Sequence, residues 1–235
     1  YLVMKNSLCI KNVINNKISF IGFDLDCTLI DSHKALYDCL SESLPNYVNE
    51  NVDNIIDIIF PLTMSQFPDY IKFKNPESFN LFKEEFINLF DTKYYKRINL
   101  IKDCFELLKY CKKNYGDENI FILTNRREKS ALQVCHHLNI TNIISTDKIF
   151  STKFDGSLNP KIISLRNVIK LLKIDSKLGY FVGDSSADID SAIANKIKPI
   201  YISGKGMSSD IKSKLGNISG AHYFKDLSGF LRFLN

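Results

Sequence analysis

Short apolar runs alternate with amphipathic segments along most of the chain. Four runs are rich in β-branched residues and have the length of buried parallel strands: residues 17–23, 119–124, 178–183 and 198–203. Shorter strands are predicted over residues 142–145 and 221–224. Apolar positions at helical spacing predict helices over residues 100–114, 129–138, 160–172 and 187–194. This alternation predicts an α/β fold with a doubly wound, mostly parallel, Rossmann-like sheet. Residues 7–14 are predicted to pair with the first strand as a hairpin.

A long interval separates the first two predicted core strands. A crossover between parallel strands needs only a few tens of residues, and this interval is far longer. Residues 32–96 have a helical, aromatic-rich pattern, so we expect an inserted all-helical domain there and an α/β core made of residues 1–31 and 97–235. Four phenylalanines recur at helical spacing and are expected to form the core of the insertion: Phe79, Phe82, Phe86 and Phe90.

The composition is that of an ordinary globular protein and argues against several other classes of protein. Of 235 residues, 45% are hydrophobic and 24% charged, and the net charge of +5 is spread along the chain, which argues against nucleic-acid binding. No apolar stretch is long enough to span a membrane, and residues 1–14 lack the apolar segment of a signal peptide.

Six cysteines show no metal-ligand spacing, so reduced thiols and a cytoplasmic location are expected. Neither GxxxxGK[ST] nor GxGxxG occurs, which argues against a P-loop kinase or a dinucleotide enzyme.

Polar residues follow the predicted strands at their carboxyl ends, where open α/β sheets bind ligands. Asp24 and Asp26 follow the first strand, and an extended backbone points both to the same side. One carboxylate could attack phosphorus while the other handles the proton of the leaving group. Thr124 and Asn125 end the second strand, where a hydroxyl can donate to a phosphoryl oxygen. The alternative for each position is an ordinary turn or helix cap.

Two further elements favour an anionic ligand and a cation. Lys161 begins a helix, where the helix dipole disfavours a cation unless a phosphate lies nearby; the alternative is a surface lysine. Asp184 and Asp188 lie one helical turn apart after a third strand, although they could instead cap that helix. Crowded carboxylates repel one another and need a cation, and oxygen ligands suit Mg²⁺.

In combination these motifs make the chain resemble the haloacid dehalogenase (HAD) superfamily of hydrolases, over about residues 20–206. The residues that match the superfamily's motifs are Asp24, Asp26 and Thr28 of DxDxT, Thr124, Lys161, and Gly183, Asp184 and Asp188 of GDxxxD. With an insertion after the first strand, the chain looks most like phosphoglycolate phosphatase-type members, which carry a helical cap of the C1 type.

The resemblance implies a Mg²⁺-dependent phosphoric monoester hydrolase that acts on a small phosphorylated metabolite. Each residue that matches a motif is then expected to have the role that this motif has in the family. Asp24 is the nucleophile and a metal ligand, and Asp26 is the general acid and base, with its main-chain carbonyl on the metal. Thr124, Asn125 and Lys161 hold the phosphoryl oxygens. Asp184 ligates the metal, and Asp188 is a ligand through water or an orienting group.

The chain departs from the family pattern at three positions. Cys27 stands where relatives often have Gly, and Asn195 stands where they commonly have a Gly helix terminator, a place where Asn also tolerates a left-handed backbone. Pro160 precedes Lys161 instead of following it, which leaves Lys153 as a rival for its role.

Alternatives to a phosphatase stay open from sequence alone. A phosphosugar mutase would keep the same core residues, and a catalytically silent binding protein could use the same fold. Four further residues are candidates for substrate contacts: His33, Lys34, Arg126 and Arg127. The sequence carries no signal for an oligomeric state.

Overall fold

A computed structural model describes residues 18–59, 64–153, 157, 159–204 and 206–235. The chain forms two compact units: a larger unit, Tyr1–Ile30 with Leu100–Asn235, and a smaller unit, Asp31–Asn99. The hairpin predicted over residues 7–14 lies outside the described residues. No helix in the described part of the chain has the length and apolar character needed to cross a bilayer.

The larger unit is built on a six-stranded sheet in which every pair of neighbouring strands is parallel. Two short strands pair separately where the chain passes between the units, β2 (Ile30–Asp31) and β3 (Asn99–Leu100). The strands of the main sheet are β1 (Phe20–Phe23), β4 (Ile120–Thr124), β5 (Ile149–Ser151), β6 (Gly179–Gly183), β7 (Lys198–Ile202) and β8 (His222–Phe224). Their order is β5-β4-β1-β6-β7-β8, which is the order of a doubly wound Rossmann sheet. The predicted fold class is therefore confirmed.

Helices cover both faces of this sheet. Those of the larger unit are α5 (Cys104–Tyr115), α6 (Glu128–His137), α7 (Lys161–Leu172), α8 (Ser186–Ala194), α9 (Ser209–Gly216) and α10 (Leu227–Leu234). Phe20, Phe121 and Phe181 form one buried cluster with residues of α7 and α8. Tyr180 points to the opposite face, where its ring meets Phe230 of α10. The sheet is thus buried on both sides, which explains why its strands are almost continuously apolar.

The register brings the ends of β1 and β6 together. Phe23 pairs with Ile122 of β4 on one side and with Val182 of β6 on the other. The chain extends the sheet from β1 in one direction through β4 and β5, and then returns to place β6 against the other edge of β1. Such a switch point opens a crevice at the carboxyl ends of the strands, where ligands bind.

One predicted strand is wrong. Residues 142–145 form no strand; a 3-10 turn covers Ile140–Asn142, and Ile143 and Ile144 are buried just after it. The third strand on that side of the sheet is β5, in which Ile149 pairs with Ile122. Two adjacent apolar residues can be buried by a turn as well as by a strand, so the short run was ambiguous.

The smaller unit is mainly helical. Its helices are α1 (His33–Ser43), α2 (Val52–Ile59), α3 (Phe67–Tyr70) and α4 (Ser78–Thr92). Phe82 is fully buried at its centre, and the rings of Tyr47, Phe67, Phe73 and Phe86 contact it. Phe79 also packs against this cluster, and the buried Phe90 stacks on Phe86, so the expectation for the recurring phenylalanines is confirmed. Buried aromatic rings supply a large apolar area in a short chain.

Gly183 lets helix α8 approach the end of β6. A Cβ atom at this position would lie 2.3 Å from both Cβ and Cγ of Asp188. The glycine is therefore required for a close approach of two chain segments, and it brings Asp188 beside the end of the sheet.

We expect Gly183→Ala to lower the free energy of unfolding by about 2 kcal/mol, because overpacking of this size usually costs 1–3 kcal/mol. Gly216→Ala is the matched control, since nothing lies within 4 Å of a Cβ there. This control should be neutral or stabilise by up to about 1 kcal/mol. Urea unfolding of both variants measures the difference, and equal effects would contradict the close approach.

Candidate active site

Asp24 lies at the carboxyl end of β1, in the middle of the sheet. Its main-chain N–H donates to the carbonyl of Val182 at 2.8 Å, which continues the pairing of β1 with β6 for one residue. Its Oδ1 accepts from Nζ of Lys161 at 2.5 Å, and its Oδ2 accepts from Oγ1 of Thr28 at 3.3 Å. Both carboxylate oxygens are thus held by donors, and the side chain is almost fully buried.

Lys161 joins two carboxylates. It is the first residue of α7, and its Nζ lies 2.5 Å from Asp24 and 2.7 Å from Asp188. Burial alone would lower the pKa of Lys161, but Asp188 and Asp24 raise it above its ordinary value. The lysine therefore stays charged in the interior. Lys153, its rival from the sequence, is exposed.

Asp188 acts both in a helix cap and in an ion pair. Ser185 is the N-cap of α8, and its main-chain N–H and hydroxyl donate to Oδ2 of Asp188 at 3.1 and 2.5 Å. The other oxygen, Oδ1, accepts from Lys161. The helix cap that the sequence left open as an alternative is therefore present at Asp188, and its part in a metal site stays a prediction.

Asn159 connects the beginnings of α7 and α8. Its Oδ1 accepts from the main-chain N–H of Lys161 at 3.2 Å, and its Nδ2 donates to the carbonyl of Ala187 at 2.9 Å. This residue fixes Lys161 beside the GDxxxD segment. Sequence reasoning missed it, although an Asn just before a Pro and a helix start was a usable signal.

Three carboxylates converge around this lysine. Asp24, Asp184 and Asp188 each offer an oxygen, and these oxygens all lie within 4.8 Å of one another. Burial, and the neighbouring carboxylates with it, raises the pKa of Asp24 well above its ordinary value, although Lys161 opposes the shift. Burial and Asp188 raise the pKa of Asp184 to about 7. The single ammonium group of Lys161 does not balance the negative charge of three carboxylates. The predicted cation site fits this deficit.

Neighbouring groups orient the side chains of Thr124 and Asn125 so that each can still donate a hydrogen bond. Oγ1 of the buried Thr124 accepts from the main-chain N–H of Arg126 at 3.2 Å, so its own hydrogen can be donated elsewhere. Oδ1 of the exposed Asn125 accepts from the hydroxyl of Thr152 at 3.1 Å, which leaves Nδ2 as the donating end. Sequence reasoning missed Thr152 because it misplaced β5, the strand that Thr152 follows.

Asp26 is paired with Arg126. Nε of Arg126 donates to Oδ2 of Asp26 at 2.7 Å, and Nη2 donates to Oδ1 at 2.5 Å. The sequence suggested Arg126 as a substrate contact, but the structure shows its guanidinium on a second acid of the DxDxT motif. Arg127, the neighbouring candidate, is the N-cap residue of α6.

The departures from the family pattern have different physical explanations. Cys27 has φ 59, a left-handed conformation that favours Gly. Asn195 has φ −102 and is not left-handed, which corrects the expectation for this residue. Its Nδ2 instead donates to the carbonyl of Ile162 in α7 and to the carbonyl of Ser191 in α8. Lys34, a candidate in the smaller unit, is highly exposed and pairs with Asp38 of its own helix.

Comparisons with known proteins assign the chain to a family. The model of the haloacid dehalogenase-like hydrolase family matches residues 21–202, and the chain therefore belongs to this family of hydrolases. No curated protein matches the chain significantly.

Similar solved structures share the fold over nearly the whole chain. A haloacid dehalogenase-like family hydrolase from Streptococcus pneumoniae has a TM-score of 0.74 at 17% identity and covers 93% of this chain and 99% of its own. A protein described as a predicted phosphoglycolate phosphatase from Haemophilus somnus has a TM-score of 0.74 at 18% identity, with coverages of 94% and 100%. A predicted phosphatase from Clostridium acetobutylicum has a TM-score of 0.70 at 19% identity, with coverages of 93% and 98%.

The raised pKa of Asp184 predicts the pH dependence of stability without metal. Between its ordinary value of 3.8 and about 7, the folded state retains a proton on Asp184 that the unfolded state releases. The stability contributed by this group is therefore lost as the pH rises through that range. In EDTA, we expect the unfolding midpoint of Asp184→Asn to fall less between about pH 5 and about pH 8 than that of the wild type, because this range contains the upper part of the window.

Asp147→Asn is the control for this measurement. Asp147 is exposed, and hydrogen bonds from Ser145 and Lys148 lower its pKa, so its titration lies below the measured range. Its unfolding midpoint should follow the wild-type curve. If the unfolding midpoints of Asp184→Asn and the wild type had the same dependence on pH, the raised pKa that we assign to Asp184 would be contradicted.

Proposed function

We propose that this hydrolase is a Mg²⁺-dependent phosphatase that forms an aspartyl-phosphate on Asp24. The observation that carries the proposal is the placement of Asp24, whose carboxylate is buried at the switch point of the sheet between the ammonium of Lys161 and the hydroxyl of Thr28. A desolvated carboxylate beside fixed donors is a suitable nucleophile for a phosphoryl group.

The donor set fits a magnesium ion. Asp24 and Asp184 supply carboxylate oxygens, and the main-chain carbonyl of Asp26 is the third protein ligand that we propose. Asp188 pairs with Lys161 and is held in the N-cap of α8 by Ser185, which supports its role as an orienting group beside the metal. When bound, the ion would neutralise charge on the phosphoryl oxygens.

In the first half of the proposed reaction, an oxygen of Asp24 attacks phosphorus and the ester P–O bond breaks. The departing oxygen takes a proton from Asp26, two residues along the same loop. Lys161 and the donor groups of Thr124 and Asn125 bind the phosphoryl oxygens, where negative charge accumulates.

In the second half, a water molecule attacks phosphorus of the aspartyl-phosphate. Asp26 accepts the proton of this water, and the bond between phosphorus and Asp24 breaks. Inorganic phosphate is released and the Asp24 carboxylate is regenerated. Asp26 thereby returns to its starting protonation state, so each turnover is balanced.

The substrate class that we propose is a small phosphorylated metabolite, with the smaller helical unit acting as a cap that selects it. Solved structures with the same fold include proteins described as phosphatases. The five cysteines within the described residues are free thiols, which supports a cytoplasmic setting. Nucleic acid is not an expected partner, because the positive charge is dispersed along the chain.

We expect p-nitrophenyl phosphate to be hydrolysed with Mg²⁺ and not with excess EDTA. Asp24→Asn should lose at least about 10³-fold in kcat, because it removes the nucleophile while preserving shape. The release of p-nitrophenol, followed by its absorbance, measures both effects. Asp147→Asn, a carboxyl-to-amide change at an exposed position, is the matched control and should keep full activity.

Two outcomes bear against the proposal. Turnover that survives Asp24→Asn would mean that another group is the nucleophile. A wild-type chain that is inactive on this substrate and on a panel of phosphorylated metabolites would favour the mutase or the silent binding protein.

A further inference from the structure

The contact between Arg126 and Asp26 is the best-defined interaction of the site that the proposed mechanism does not use. Two N–H groups of one guanidinium meet the two oxygens of one carboxylate, at 2.7 and 2.5 Å. The Arg126 side chain is only 9% exposed and that of Asp26 is 28% exposed. A bidentate pair of this kind fixes the plane of the carboxylate as well as its position.

Asp26 needs such a partner more than Asp24 does. Asp24 continues the main-chain pairing of β1 with β6, and donors hold its side chain on both oxygens. Asp26 lies beyond the sheet, in a turn where it forms an isolated bridge with Ile30. Its backbone is followed by the left-handed Cys27, so the sheet does not extend to support it.

Arg126 also contacts the phosphate-binding side of the site through its backbone. Its main-chain N–H donates to Oγ1 of Thr124, while its side chain holds Asp26. One residue thus sets the orientation of a hydroxyl that we assign to phosphoryl binding and of a carboxylate that we assign to proton transfer. Because the contact with Thr124 comes from the main chain, a substitution of Arg126 removes the contact with Asp26 and leaves the contact with Thr124 in place.

We propose that Arg126 is a positioning residue for Asp26: its guanidinium holds the ionised Asp26 carboxylate in the orientation needed to accept the proton of the water that attacks the aspartyl-phosphate. The inference rests on the proposed phosphatase function and extends it to a residue outside the DxDxT motif. Misplacing a catalytic group by about 1 Å can cost about 10²-fold in rate, so the loss should appear in kcat. KM should change little, because the proposal gives the guanidinium of Arg126 to Asp26 and not to the substrate.

The test is a double-mutant cycle between the two residues. Arg126→Met, Arg126→Lys, Asp26→Asn and the Asp26→Asn/Arg126→Met double variant are assayed with p-nitrophenyl phosphate and Mg²⁺. We expect Arg126→Met to lower kcat by about 10²-fold, and Arg126→Lys to recover part of this loss through a single contact. Once Asp26 is Asn, Arg126→Met should cost nothing further, because there is no carboxylate left to position.

Arg232→Met is the charge-matched control. Arg232 is exposed on α10, and its removal changes the net charge equally without touching Asp26. This variant should retain wild-type kcat and KM. The unfolding midpoint of every variant is measured in parallel, and Arg126→Lys carries the cycle if Arg126→Met does not fold.

The outcomes separate this inference from the function on which it rests. Losses that multiply in the double variant, or a rise in KM at unchanged kcat, would overturn the positioning role and leave the phosphatase intact. Absence of wild-type turnover would overturn both. A kcat loss that disappears in the Asp26→Asn background supports the role.

Discussion

The crowding of three buried carboxylates around one ammonium group is the constraint on which the rest of the site depends. Asp24, Asp184 and Asp188 present oxygens within 4.8 Å of one another, and Lys161 is the cation that reaches two of them. Burial raises the pKa of Asp24 and Asp184, and repulsion from the neighbouring carboxylates adds to this effect. A divalent cation would complete the balance, since its charge and that of Lys161 together match the charge of three carboxylates.

The fold meets this constraint by assigning structural roles to the same side chains. Asp188 completes the N-cap of α8 while it pairs with Lys161, and Asn159 joins the starts of α7 and α8. Gly183 allows that helix to approach the end of β6. Removal of a site residue is therefore expected to disturb packing as well as chemistry, which is why amide substitutions that preserve shape are the informative ones.

Much of the core could be predicted from sequence because its strands are buried on both faces and end in polar residues. Asp24, Thr124 and Asp184 follow this rule, and the structure brings Asp24 and Asp184 together with Lys161. The pairing of Asp26 with Arg126 could not be predicted, since it joins side chains far apart in the chain and leaves no periodic signal. Thr152 was missed because an apolar turn resembled a strand and displaced β5. The local hydrophobic pattern thus predicts where strands end, whereas contacts between side chains far apart in sequence can be seen only in the folded structure.

The most direct measurement is a rapid-quench experiment on Asp26→Asn with p-nitrophenyl phosphate and Mg²⁺. This substrate has a good leaving group, so attack by Asp24 needs little proton transfer, whereas hydrolysis of the aspartyl-phosphate lacks its base. We expect a stoichiometric burst of p-nitrophenol, with the phosphoryl group recovered by mass spectrometry on the peptide that contains Asp24. A phosphoryl group on another residue, or turnover that proceeds with no burst and no phosphorylated enzyme, would contradict Asp24 as the nucleophile.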